Sequence, residues 1–126
     1  MTAGEVISRV DELEPNQFSS CRKKQWLSIL DGQLAKELAQ SFRIEGLEDR
    51  LPISYTALTD ELLLPSPYGE QIYNFYLQAM FASENGESGK YNRAIQQFNS
   101  AWQQYINYVN RTTEPRAAKN GNRFRF

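Results

Sequence analysis

A chain of 126 residues, 40% apolar and 13% aromatic with a formal charge of −1, is sized for one domain with a ring-rich core. It has no His and a single Cys21, which excludes an internal disulfide, a cysteine-rich metal site, the common zinc sites, the Ser-His-Asp triad and the Cys-His dyad. Charge is uneven: residues 1–110 hold nine Lys or Arg against fourteen Asp or Glu, whereas the stretch after them holds Arg111, Arg116, Lys119, Arg123 and Arg125 against Glu114.

The first element is marked by a capping box, Thr2 at N-cap with Glu5 three residues on. Val6, Ile7, Val10 and Leu13 follow at helical spacing, and Pro15 ends the run. Ser19 or Ser20 can cap a second helix with Trp26, Leu27, Leu30, Leu34 and Leu38 on one face and Ile29 and Ala35 beside them. Its other face shows Arg22, Lys23, Lys24, Lys36 and Glu37. Gly32 in mid-helix costs about 1 kcal/mol relative to Ala, and points to a close helix contact or a kink.

From Phe42 to Leu64 the helical period is lost, interrupted by Gly46 and Pro52 and closed by Pro65. Ile53 to Leu58 has strand character, but one strand without a partner is no sheet. The reading is an ordered loop with a helical turn near Thr59 to Leu63. Leu51, Ile53, Tyr55, Leu58, Leu62, Leu63 and Leu64 are too apolar for a solvated linker, and are expected to pack on the following hairpin or on another subunit.

The clearest pattern lies in 67–110. Tyr91, Ile95, Phe98, Trp102, Tyr105 and Val109 alternate four and three apart, which places them along one helix seam. Ala94, Ala101, Ile106 and Tyr108 flank it. Tyr68, Ile72, Phe75, Tyr76, Ala79, Met80 and Phe81 answer from a preceding helix. Asn85-Gly86 between them predicts a tight antiparallel hairpin. Ser66 is expected at N-cap, Pro67 at the first helical position and Glu70 in the first turn. The second arm should start near Glu87 or Ser88 and end near Asn110, a rod of roughly 35 Å. After it, Arg116 to Phe126 is small, polar and basic, and is expected to be a flexible tail. The fold expected is therefore all-α: a helical domain over 1–110 built on a C-terminal hairpin, and an extended tail over 111–126.

Few residues point to chemistry. The tail suits docking on an acidic protein groove, contact with nucleic-acid phosphates, or plain solubilisation; Phe124 and Phe126 favour protein docking, since terminal Phe gains only by burial. The seam aromatics read as core before cofactor pocket. Asp60, Glu61 and Glu70, and separately Glu45, Glu48 and Asp49, have types that suit acid–base or cation work, but their spacing favours solvated surface. Cys21 lacks a base or partner thiol. Asn92 and Asn99, seven apart, read as surface before register-setting groups.

Several stretches carry a resemblance. Trp26-Leu27-x-x-Leu30-Asp31-Gly32, then Leu62-Leu63-Leu64-Pro65-Ser66-Pro67-Tyr68, then Asn85-Gly86-Glu87 and Tyr91-Asn92 occur in that order. Phe98-Asn99-x-Ala101-Trp102-x-x-Tyr105 and Tyr108-x-Asn110-Arg111-Thr112 follow. Together they resemble the small head–tail connector proteins of tailed phages and prophages of Gram-positive bacteria. The chain departs at Tyr68-Gly69, where Tyr-Asp is usual, and at Tyr105 and Tyr108, where the two Tyr are usually adjacent.

The resemblance implies a non-enzymatic virion adaptor with no cofactor and no metal. It would bind beneath the portal protein, join other copies in a ring that copies the portal's twelve-fold symmetry, and meet a stopper or tail-completion protein. It would line part of the channel through which double-stranded DNA passes, without touching a membrane. Its place would be the neck of the virion and, during assembly, the host cytoplasm. Partner contacts are expected from the tail residues Arg111, Arg116, Lys119, Arg123, Phe124, Arg125 and Phe126, and from Tyr55 and Leu58 in the loop. The alternative is a small helical nucleic-acid-binding regulator acting through the basic tail.

Overall fold

A computed structural model describes residues 1–44, 46, 47 and 50–113. Among these the chain is all-α, with four helices: α1 (Ala3–Leu13), α2 (Ser20–Ser41), α3 (Tyr68–Glu84) and α4 (Ser88–Thr112).

Local chemistry sets the ends. Thr2 Oγ1 accepts the Glu5 N–H while the Glu5 carboxylate accepts the Thr2 N–H, so the capping box forms as the sequence predicts. Ser19, not Ser20, caps α2 by accepting the Arg22 N–H. At α3 the start shifts by one residue: Pro67 is the capping residue without a side-chain acceptor, and Ser66 instead donates to Glu70 at 2.9 Å. The turn into α4 uses one left-handed residue, Gly86 at φ 72°, while Asn85 stays right-handed at φ −88°. The helix then runs two residues past the expected end at Asn110.

α3 is the central rod. Its Tyr73 and Phe81 meet α2, its Tyr68 and Tyr76 meet α4, and Ile72, Tyr73, Leu77, Ala79 and Phe81 are almost wholly buried. α1 and α2 pack on α3 and on each other, whereas α4 packs chiefly on α3 alone. Burying large side chains on a rod covered from two sides contributes roughly 1.5–3 kcal/mol each.

Three expectations about faces are corrected. Leu13 is 62% and Ile29 57% exposed: Ile29 lies off the inward stripe of Leu27, Leu30, Leu34 and Leu38, whereas Leu13 shares the face of Val6 and Val10 but is the last residue of α1. Lys23, expected on the polar face, is buried and paired with Asp11 at 2.7 Å. The α4 seam is rotated: Ala94, Ala101, Tyr105, Ile106 and Val109 are buried, while Tyr91, Ile95, Phe98 and Trp102 are only half-buried. The small Ala94 and Ala101 face inward in the first part of α4, and Tyr105, Ile106 and Val109 do so in the last. Gly32 is neither a close contact nor a break, since a Cβ there would meet nothing within 4 Å and α2 runs unbroken through it.

The connection between α2 and α3 is an ordered loop, as expected, but it packs first on α1 and α2. Ala3 N–H donates to Asp60 O, Gly4 N–H to Leu58 O and Leu62 N–H to Met1 O, with an isolated antiparallel bridge between Thr2 and Glu61. No helical turn forms over Thr59–Leu63. The bend there is held instead by the Asp60 carboxylate, which accepts the N–H groups of Thr56 at 2.8 Å and Ala57 at 3.0 Å. Leu62 and Leu64 fill the core, and Leu51 and Leu58 remain partly exposed at 36% and 44%.

Candidate interaction site

The most organised polar group in the molecule is buried. Asp31 sits among the apolar residues of α2, fully shielded from solvent. Tyr55 Oη donates to it at 2.5 Å, Tyr73 Oη lies 2.8 Å from both its oxygens, and Leu63 N–H donates at 3.2 Å. Tyr73 Oη also accepts the Leu64 N–H at 2.9 Å. Burial pushes the Asp31 carboxyl above its usual range, against the opposing pull of these donors. Burial and the facing Asp31 carboxylate push both phenols well above 10, so each stays a donor at neutral pH. The group fastens the loop to α2 and α3.

This placement corrects the expectation for Tyr55. It is a core residue whose hydroxyl and N–H are both engaged, the latter by Ser28 Oγ at 2.8 Å, and it is not turned toward a partner. Leu58 is exposed on a bend, with its carbonyl held by the Gly4 N–H. Arg111 lies exposed in the last turn of α4, where the helix dipole favours a cation. Arg116, Lys119, Arg123, Phe124, Arg125 and Phe126 lie outside the described residues, as do Glu45, Glu48 and Asp49.

The candidate carboxylates Asp60, Glu61 and Glu70 are engaged in the fold, Glu61 by the N-terminal ammonium. The Thr56 and Ala57 N–H groups hold the Asp60 carboxyl below its ordinary range, Ala57 contributing most. Glu70 pairs with Arg9 at 2.9 Å. Among the described residues no three His, Cys, Asp or Glu side chains are placed to share a metal ion. Cys21, Asn92 and Asn99 are on the surface.

Aromatic contacts organise two sides of the bundle. Phe18, Trp26 and Phe81 cluster at the start of α2, with the Arg22 guanidinium 5.1 Å from the Trp26 ring and the Lys23 ammonium 5.6 Å from Phe81. Along the hairpin, Tyr68 stacks on Tyr108 at 4.9 Å and meets Tyr105 at 5.8 Å, Tyr76 meets Phe98 at 5.7 Å, and Trp102 meets Tyr105 at 5.8 Å. With α3 on one side only, Tyr91, Ile95, Phe98 and Trp102 form a half-buried row open to a neighbour.

Sequence reasoning missed Asp31 and Tyr73 as a pair. The available signal was a carboxylate four residues after Leu27 and three before Leu34, inside an apolar stripe, where an unpartnered charge is too costly to bury. Comparisons with protein-family models, curated proteins and solved structures give no match.

Proposed function

We propose that this chain is a structural virion protein, a head–tail connector adaptor that joins other copies of itself in a ring beneath the portal. In this reading it acts without catalysis or cofactor, meets a stopper or tail-completion protein, and leaves a channel for double-stranded DNA in the virion neck. The observation that carries the reading is the row Tyr91, Ile95, Phe98 and Trp102, half-buried on a 25-residue helix that packs chiefly on one other. A row of large apolar groups left partly wet beside a rigid hairpin suits burial against another subunit. Contacts of this kind that close by rotation make rings. The ordered motifs from Trp26 to Thr112 add the resemblance described above.

The test is electron microscopy of portal-bearing heads assembled with and without the protein. The reading requires an added ring of density at the portal vertex when the protein is present. Heads that look the same in both preparations contradict it.

A further inference from the structure

Two large hydrophobic side chains of the N-terminal helices stand in water, Leu13 at the end of α1 and Ile29 on α2. Their surroundings differ. Leu13 is a knob between Glu12 and Glu14, neither of which makes an ion pair among the described residues. Ile29 belongs to a groove of about 450 Å³ between α2 and the loop, where Leu51, Pro52 and Ile53 supply the apolar lining from the loop. Gly32 also lines the groove, and a Cβ there would meet nothing within 4 Å, so the space over the helix is open. Lys36 is the one charged group in this lining among the described residues, and it too makes no ion pair there; Glu37, next along α2, is not part of the lining.

We infer that the Leu13 knob of one copy seats in the α2–loop groove of the next copy. The two surfaces complement each other in shape and in charge. The knob offers a leucine flanked by carboxylates, and the groove offers apolar walls, an open glycine position and a lysine. A foreign partner would satisfy one of these surfaces, whereas a second copy satisfies both. The knob cannot reach the groove of its own chain. Asp11 pairs with Lys23 and so pins the end of α1 to the start of α2, and from Lys23 to Gly32 the helix advances about 14 Å. Knob and groove share no residue, so the contact is head-to-tail, the kind that closes into a ring when the rotation allows. The inference rests on the reading that copies join one another, and adds which surfaces meet.

The test is crosslinking of the full chain with a short bifunctional maleimide, free at high concentration and mixed with portal rings from the same genome. Cys21→Ser removes the native thiol, Pro15→Cys marks the knob and Gln33→Cys marks the groove. Both marked positions are exposed, and circular dichroism checks that each variant folds. Each copy then offers one knob and one groove, so the linker should yield covalent products of three or more copies. Either single-cysteine variant should stop at two. Adding Lys36→Glu should lower the yield about fivefold, and adding Leu13→Asp about tenfold. Protein that joins the ring without such products overturns the inference and leaves the assembly reading standing. Protein that never joins the ring contradicts the assembly reading, and the free protein then decides: no products of three or more copies overturns the inference too. Yields unchanged by Lys36→Glu and Leu13→Asp also overturn it.

Discussion

Tyr73 on α3 places its hydroxyl 2.8 Å from both carboxylate oxygens of Asp31 on α2, and the same oxygen accepts the Leu64 N–H of the loop. Three segments far apart in sequence therefore meet at one buried carboxylate. Removing it with Asp31→Ala strands two phenols and one backbone N–H, each costing about 1–3 kcal/mol when left unmade. The expected loss exceeds about 3 kcal/mol, a large part of the stability of a domain this size. Asp31→Asn keeps one acceptor oxygen and should lose less. Urea unfolding of the two variants measures both.

The pH dependence of that loss has a definite sign. Burial raises the Asp31 carboxyl in the folded state, so the folded protein holds this proton more tightly than the unfolded chain. The contribution is fully present below the ordinary carboxylate range and is lost as pH rises through the raised folded value. The stability of wild type relative to Asp31→Asn should therefore increase on acidification across that window. Asp60, held low by Ala57 and Thr56, behaves oppositely: its contribution is present above the ordinary carboxylate range and is lost as pH falls through the lowered folded value. Unfolding of Asp31→Asn and Asp60→Asn across pH 3 to 7 separates the two.

Glycines give a sharp contrast. A Cβ at Gly69 would lie 2.9 Å from Leu64 O, and one at Gly4 would lie 3.0 Å from Leu58 O, both against backbone that cannot swing aside. Gly69→Ala and Gly4→Ala should each destabilise by about 1–3 kcal/mol. Gly32→Ala meets open space inside α2 and should stabilise by about 0.5–1 kcal/mol. Thermal melts of the three variants check the ordering.

What the sequence made legible follows from period and capping. The capping box at Thr2 and the left-handed residue at Gly86 are local signals that find their place in the fold, and the spacing from Tyr91 to Val109 gives the helix but not its buried face. Which side of the seam is buried was not legible, because that depends on how closely α3 approaches Ala94 and Ala101. What the loop packs on was hidden for the same reason. Its order comes from Asp31, Tyr73 and the α1 backbone, all remote in sequence. Lys23 looked like solvent face because its partner Asp11 lies on another helix. Of the expected contact residues, Tyr55 turned inward on the strength of a hydrogen bond that no local pattern encodes.

The assembly reading makes its own demand on α4. Ile95→Glu places a charge in the half-buried row without opening the core, and should destabilise the isolated chain by less than about 1.5 kcal/mol. The same charge, enclosed between subunits, should weaken association far more. Native mass spectrometry of wild-type and Ile95→Glu protein, each mixed with purified portal rings from the same genome, tests this most directly. The account predicts multi-copy complexes on the ring with wild type and none with the folded variant. Wild-type protein that never joins the ring, or Ile95→Glu protein that joins it equally well, would contradict it.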